Sequence, residues 1–458
     1  MKEKPVKFGQ KYMVEISGLS HLGEGIGKVN NFAVFVPGTI PQEKVEVVIT
    51  EVKKNFARGN LIKVHSPSAK RVEPPCAFAD KCGGCQLQHI DYALQLQLKQ
   101  RQVEDALIKL GGIKTQVQPV LGMDYPWRYR NKGHFQLEKN QGQIALGFYE
   151  PGTHDFVPAK DSLLFSTVIN KLVRYLEETL TIEDIKLYDR ERGQEGIRNI
   201  MVRESKATGE LMVIFITSTE DWQLASTADS LTAVFPQVVS IYQNVNKTQQ
   251  SVILGDKFII RKGQEFIMDN IGELKFKISP QSFFQINNCQ TEVLYNKAIE
   301  FAGLSGEETV LDAYCGIGSI ALFIASQAKH VIGIEVVKEA IDDARKNAEL
   351  NTITNAEFIV GKVEEWLPRW VSAGGKADVI IVDPPRKGCA PETLEAIAEV
   401  KPRRVVYVSC NPGTLARDLK YLTEHGYETK EVQPVDMFPQ TGHVESIIMM
   451  TNSGSKGK

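Results

Sequence analysis

From about residue 278 onward, short apolar runs of β type alternate with helical stretches. That alternation confines this part of the chain to a doubly wound, mostly parallel sheet. The runs are Thr309-Val310-Leu311-Asp312, His330-Val331-Ile332-Gly333-Ile334-Glu335, Val379-Ile380-Ile381-Val382-Asp383 and Val405-Val406-Tyr407-Val408. Three of them end on a carboxylate, and the fourth runs into Ser409-Cys410-Asn411-Pro412. The thiol of Cys410 is therefore expected where a strand ends and the chain turns.

The N-terminal part follows different rules. Val14-Glu15-Ile16, Ala33 to Val36, Val45 to Ile49 and Gly59 to Ile62 are strand candidates, punctuated by Gly18, Gly23, Gly25, Gly27, Pro37-Gly38 and Pro41. Such density of short strands suits a small closed barrel. Gly23-Glu24-Gly25-Ile26-Gly27 and Phe35-Val36-Pro37-Gly38 resemble the TRAM domain, an RNA-binding barrel of the OB type. Overall charge is nearly balanced, 54 Lys+Arg against 56 Asp+Glu, but residues 1–71 hold 12 basic against 6 acidic side chains. A basic module on an acidic body suits phosphate binding, and a solvated lysine-rich surface suits the same numbers.

Between these parts, residues 92–110 read as an amphipathic helix with Leu96, Val103, Leu107 and Leu110 on one face, ended by Gly111-Gly112. Arg128-Tyr129-Arg130-Asn131-Lys132 fits either an RNA-holding basic-aromatic cluster or alternation on a half-exposed strand. The expected division is a barrel at 1–68, a mixed α+β central domain at 69–277, a catalytic domain at 278–452 and a disordered tail at 453–458. The 92–110 helix is expected to pack on the catalytic domain. No apolar run approaches the roughly 18 residues of a membrane span, and the N-terminus lacks a signal-peptide core. Three of the seven cysteines cluster and the other four are scattered, unlike a secreted disulfide framework. A cytoplasmic location, no membrane contact and a monomeric state are expected.

Gly316-Ile317-Gly318-Ser319-Ile320-Ala321 has the spacing of a nucleotide-binding turn. Glu335 ends the next strand, where a carboxylate can accept from both ribose hydroxyls. Three features favour S-adenosylmethionine over a dinucleotide. Asp312 can attract a methionine ammonium group, the bulky Tyr314-Cys315 leaves no full pyrophosphate loop, and Asp383-Pro384-Pro385-Arg386 resembles the substrate-side motif of nucleic-acid methyltransferases. Cys315 itself is expected to pack in the turn.

A thiolate beside a methyl donor points to one chemistry. C5 of uracil is a poor nucleophile until a thiolate adds at C6; a base must then remove the C5 proton. Cys410 supplies the thiol, and a nearby positive charge or dipole is expected to lower its pKa. Glu445, in Gly442-His443-Val444-Glu445 before the apolar run Ile447 to Met450, is the base, with His443 competing.

Together these residues resemble the RNA uracil-C5 methyltransferase family. The matching segments are Ser279 to Asn287, Asp312 to Gly318, Asp383 to Gly388, Ser409 to Pro412 and Gly442 to Glu445. The resemblance is nearest to its Gram-positive 23S rRNA members, which makes 23S rRNA the expected substrate ahead of tRNA. It implies a Rossmann-like methyltransferase domain, S-adenosylmethionine contacts at Gln285, Tyr314, Glu335 and Asp383, Cys410 as nucleophile and Glu445 as base. A cytosine-C5 methylase would carry a second cysteine in an Asp-x-Pro-Cys motif, whereas Asp383 is followed here by Pro384-Pro385-Arg386, and an amino-group methylase needs neither Cys410 nor Glu445. A non-catalytic ribosome-assembly factor would need the barrel but no thiol.

Cys76, Cys82 and Cys85 are spaced as ligands, and the resemblance implies a [4Fe–4S] cluster completed by a fourth cysteine. The matching position here is Ser162. A cluster with Ser162 oxygen as fourth ligand, zinc held by the three thiolates and His89, and a labile or missing cluster all remain open.

Overall fold

A computed structural model of the chain describes residues 4–189, 191–248 and 252–454. They form two compact units, one made of residues 1–126 with 383–458, the other of residues 127–382.

The first unit opens with a closed barrel in the order β1-β2-β3-β5-β4, built from β1 (Lys11–Leu19), β2 (Gly25–Val29), β3 (Phe32–Val36), β4 (Lys44–Val52) and β5 (Phe56–Ser66). Val14, Ile16, Val34, Val36, Val45, Val47 and Ile49 fill it, every second residue of their strands. β2 runs through Gly25 and Gly27, which the sequence pattern presents as turn residues. A Cβ on Gly25 would collide with Thr39 Oγ1, and one on Gly27 with the side chain of Val14 and the carbonyl of Glu15. Glycine is what admits this strand to the barrel wall.

Helix α1 (Tyr92–Ala106) starts on Asp91, whose carboxylate accepts from Leu94 N. It runs into a π-turn at Leu107–Gly111 closed by the left-handed Gly112. The predicted apolar face holds at Val103 and Leu107, both buried, but not at Leu110. The buried stripe is Gln95, Leu98, Lys99 and Val103, while Leu110 is 59% exposed because the π-turn rotates it outward. Two polar residues share that stripe because each has partners in the C-terminal part of the same unit. Lys99, with no exposed surface, pairs with the equally buried Asp436 at 2.5 Å. Removing one partner of a buried pair costs about 3–5 kcal/mol, because the other charge stays buried.

The second unit begins with a seven-stranded sheet. Its elements are β6 (Lys132–Asn140), β7 (Gln143–Tyr149), β8 (Phe156–Pro158), helix α2 (Thr167–Ile182), β9 (Ile197–Glu204), β10 (Leu211–Thr217), helix α3 (Ala225–Val234), β11 (Val238–Val245) and β12 (Lys257–Gly263). The order is β12-β11-β10-β9-β6-β7-β8, antiparallel except for β10 beside β11. Phe135, Phe165, Leu172, Leu176, Phe215 and Leu231 belong to its core. Arg128 to Lys132 shows plain alternation: Tyr129 and Asn131 are buried, and the Arg128 and Arg130 amides donate to Leu163 O and Leu164 O.

A hairpin, β13 (Ile267–Ile271) and β14 (Leu274–Ile278), precedes helix α4 (Asn288–Ala302). Then come β15 (Thr309–Ala313), α5 (Ser319–Ala325), β16 (His330–Glu335), α6 (Lys338–Leu350), β17 (Ala356–Val360), α7 (Val363–Ser372) and β18 (Val379–Val382). Within this unit β17-β16-β15-β18 lie parallel, as the alternation requires.

The chain then returns to the first unit with α8 (Pro391–Val400), β19 (Arg404–Ser409), α9 (Pro412–Glu424), β20 (Tyr427–Val435) and β21 (Glu445–Asn452). Here β21 lies antiparallel between β19 and β20. Ser453 and Gly454 close a turn, with Ser453 N donating to Gly426 O at 2.8 Å, whereas 455–458 of the expected disordered tail lie outside the described residues. Among the described residues no helix is long and apolar enough to cross a membrane.

Candidate active site

Cys410 follows the last residue of β19 and precedes Asn411, the N-cap of α9. The Asn411 side chain accepts from Gly413 N at 3.0 Å and donates to Arg386 O at 3.1 Å, and Thr414 Oγ1 donates to the same carbonyl at 3.2 Å. The thiol thus sits at the positive end of a 13-residue helix, beside the Asp383–Arg386 segment. Ladder register supplies the other reactive group. Ser409 of β19 pairs with Ser446 of β21, so one residue further along each strand stand Cys410 and Glu445. Cys410 lies just past the last ladder pair, and the Glu445 charge acts on its thiol.

Burial dominates the electrostatics. Glu445 is 6% exposed, and its carboxyl is pushed well above the ordinary range by desolvation and by Asp383, with Arg386 opposing. Burial also raises Asp383. Two desolvated carboxyls that repel each other favour holding a proton. The Cys410 thiol is pushed up to about 11 by burial, Glu445 and Asp383, again with Arg386 opposing. This overturns the expectation of a lowered thiol. The predicted positive charge is present, but two carboxylates and desolvation outweigh it in the free protein.

The residues that follow Arg386 are held by a network the sequence does not announce. Asp418, fully buried, accepts from Tyr407 Oη at 2.7 Å, Cys389 N at 2.8 Å and Arg417 Nε at 2.7 Å. Arg417 also donates to Lys387 O at 3.0 Å. His443, the competing base, is half-buried with its ring edge-on to Phe438.

In the second unit, β15 ends in a turn where Tyr314 takes φ +68°, followed by Gly316 and Gly318 at φ +55° and +78°. A tyrosine in that region marks a backbone held by its surroundings. Glu335 closes the turn, accepting from Gly316 N at 3.3 Å and Val337 N at 2.9 Å. Cys315 is 6% exposed, and burial with the Asp312 and Glu335 carboxylates raises its thiol far above the ordinary range. It packs in the turn, as expected.

Gln285 lies in the segment between β14 and α4, where its carbonyl accepts from Asn131 Nδ2 at 2.8 Å. The buried Arg203 guanidinium donates to Pro280 O at 3.1 Å and Ser282 O at 2.6 Å, which fixes the same segment. A charge inside the apolar stretch Ile200-Met201-Val202 was the only sequence sign of that role. The residues suit the methyl donor: a carboxylate at Glu335 for hydroxyls, an amide at Gln285 and the fully buried Asp312 carboxylate for a cation.

The cysteine ligand set does not assemble. Cys76 and Cys82 are half-buried, Cys85 is buried, and Gly84 N donates to Cys82 Sγ at 3.4 Å. Among the described residues no group of three or more His, Cys, Asp or Glu side chains is arranged to hold a metal. Burial and the Arg71 charge lower His89 to about 4, with the Thr39 backbone and Glu43 opposing. Ser162 belongs to the second unit, in the turn before α2. As placed, these residues fit neither the iron–sulfur nor the zinc expectation.

Comparison with known proteins agrees with the geometry. The tRNA (Uracil-5-)-methyltransferase family matches residues 91–368, the TRAM domain residues 5–62 and a methyltransferase domain residues 304–437. The chain is 48% identical to an "Uncharacterized RNA methyltransferase" of Clostridium tetani across the whole of both chains. The chain belongs to the RNA uracil-C5 methyltransferase family. A similar RNA methyltransferase of Bacillus cereus is 47% identical over 98% of each chain. The solved tRNA (uracil-54, C5)-methyltransferase of Pyrococcus abyssi, in complex with S-adenosyl-L-homocysteine, superimposes with TM-score 0.78 at 29% identity, covering 96% of this chain and all of that one. As a family member the protein is an S-adenosylmethionine-dependent RNA (uracil-C5)-methyltransferase with a TRAM barrel for RNA.

Proposed function

We propose that this enzyme methylates uridine at C5 in 23S rRNA through a covalent adduct on Cys410, with Glu445 as the base. The observation that carries the reading is the β19–β21 register, which brings a thiol and a desolvated carboxyl to the same end of one ladder. Cys410 reacts as the thiolate, its proton passed to solvent; the sulfur bonds to C6 of a uracil turned out of its stack, and the C5–C6 π pair moves to C5 and O4. S-adenosylmethionine supplies an electrophilic methyl carbon on a sulfonium, leaving as the neutral thioether. C5 takes that methyl group, and Glu445 removes the C5 proton. The freed pair restores the C5–C6 double bond and expels the thiolate.

Gln285, Tyr314, Glu335 and Asp383 are the proposed donor contacts. Arg386 and the α9 N-terminus favour the thiolate against the two carboxylates. Glu445 acts in its ionised form, so the proton that desolvation favours on it passes to solvent before the C5 proton is taken. The roles follow the division at 1–68, 69–277 and 278–452, with RNA held by the barrel, in a cytoplasmic monomer.

The resemblance of the site motifs to 23S rRNA members, together with the barrel, supports rRNA. The Pyrococcus abyssi neighbour, a tRNA enzyme, favours the second reading, tRNA. Mapping 5-methyluridine in both RNAs from cells with and without the protein decides: loss from 23S rRNA is expected, and loss from tRNA alone overturns the rRNA reading. RNA carrying 5-fluorouridine at the target is expected to remain attached to Cys410, since fluorine does not leave as a proton. Full activity in Cys410→Ala would refute the mechanism.

A further inference from the structure

Residues 436–444 connect β20 to β21 and deliver Glu445 to its place. Thr441 N and Oγ1 reach Phe438 O at 3.2 and 2.8 Å, and His443 N reaches Thr441 Oγ1 at 3.3 Å. A set of side-chain bonds to the loop comes from a part of the chain more than 330 residues away in sequence. Lys99 Nζ donates to Asp436 Oδ1 at 2.5 Å and to Phe438 O at 3.1 Å. Tyr92 Oη donates to Asp436 Oδ2 at 2.9 Å. Gln95 Nε2 donates to Gln440 Oε1 at 3.0 Å, and Gln440 N to Gln95 Oε1 at 3.3 Å. The amides of Gln86 and Leu87, directly after Cys85, both donate to Gln440 O, at 2.9 and 3.0 Å. On the barrel side, a Cβ on Gly442 would stand 2.6 Å from Gly23 N and 2.9 Å from His21 O.

Tyr92, Gln95 and Lys99 occupy successive turns of one face of α1, spaced three and four apart. An apolar face there would have served packing alone. Buried polar groups such as Gln95 and Lys99 serve to choose one loop conformation, since any other leaves them unpaired.

We propose that Lys99, with Tyr92 and Gln95, is a positioning residue for Glu445: α1 and the cysteine-bearing turn hold the 436–444 loop so that the base meets the C5 proton. This rests on the assignment of Glu445 as base. It gives the Cys76–Cys85 segment a role through Gln86 and Leu87 that needs no metal. The predicted defect is confined to the last step. Adduct formation and methylation use Cys410 and the donor, whereas release needs a correctly aimed carboxylate.

The test compares full-length wild type, Glu445→Gln, Lys99→Met/Asp436→Asn and Tyr92→Phe on an RNA with an ordinary target uridine. Single-turnover methylation and gel-resolved protein–RNA adduct are followed together. Glu445→Gln is expected to accumulate methylated adduct; its release of product at the wild-type rate would overturn the base assignment and this inference with it. The double variant, which removes both buried charges at once, is expected to release product about 10²-fold more slowly, as for a reacting group misplaced by about 1 Å. Its KM for RNA should stay within twofold and its adduct should be visible. Tyr92→Phe, which disturbs no charge, is expected to show the same adduct with a loss of about fivefold, the scale of one weakened hydrogen bond. If Glu445→Gln accumulates adduct while the double variant does not, the positioning role is refuted and the base assignment stands. Where the double variant does not fold, Tyr92→Phe decides on the same criterion.

Discussion

Two cysteines in this enzyme stand in nearly the same local setting, and the proposed mechanism gives them opposite roles. Cys315 lies two residues beyond β15 and Cys410 one residue beyond β19, each ahead of a helix. Both thiols are raised by burial and by two carboxylates. The differences lie around them. Cys315 is nearly sealed, its helix is seven residues long, and its carboxylates, Asp312 and Glu335, suit a ligand. Cys410 is half-buried, has the 13-residue α9 at its back and Arg386 opposing the carboxylates, and faces a carboxyl raised enough to exchange protons near neutrality. Position after a strand makes a cysteine available; a countercharge and a base within reach make it a nucleophile.

The sharpest way to break this contrast is to remove each sulfur in turn. Cys410→Ala is expected to lower methylation by at least about 10⁴-fold, the scale of losing a nucleophile, whereas Cys315→Ala should stay within a few-fold. Tritium transfer to RNA measures both. Alkylation separates them next. With iodoacetamide and peptide mass mapping, Cys410 is expected to react at a rate that climbs with pH towards about 11, while Cys315 stays unmodified in the native protein. Arg386→Met removes the opposing charge; about 10- to 100-fold lower activity at pH 7 is expected, with the pH–rate profile displaced upward.

The smallest effect is on stability. Glu445 is raised in the folded protein, so between the ordinary carboxylate range and about pH 8 the folded state binds more protons than the unfolded one. Stability from this group is complete below pH 4.5 and is lost as pH rises through about 8. Melting temperature should therefore fall by a few degrees between pH 5 and 8, and Glu445→Gln should flatten the fall. A wild-type slope unchanged by that substitution would show that the carboxyl is not desolvated.

Much of this was legible in the sequence because it is local. Val405 to Val408 followed by a thiol, Glu445 before an apolar run and the glycines after Asp312 are each contained in a few residues. β2 was missed because Gly25 and Gly27 read as breaks, and their need appears only beside Thr39 and Val14. The buried face of α1 was read only in part because Gln95 and Lys99 look solvent-facing until Gln440 and Asp436 are beside them. Arg203 bonds to backbone carbonyls, which leave no trace in residue identity, and Asp418 gathers Tyr407, Arg417 and the Cys389 amide only once the strand and helices are packed. The elevated thiol was unreadable because desolvation belongs to the packed structure.

The Lys99–Asp436 pair also sets an order on biosynthesis. These residues lie 337 positions apart, and at about 5–20 residues per second a ribosome emits the second some tens of seconds after the first. Until then the ammonium group has no counterion and must stay hydrated, so α1 cannot finish docking on a nascent chain. The barrel can close early, but the N-terminal module reaches its final form only when translation is almost over. Truncated products are thereby left visibly incomplete to the cell's proteases.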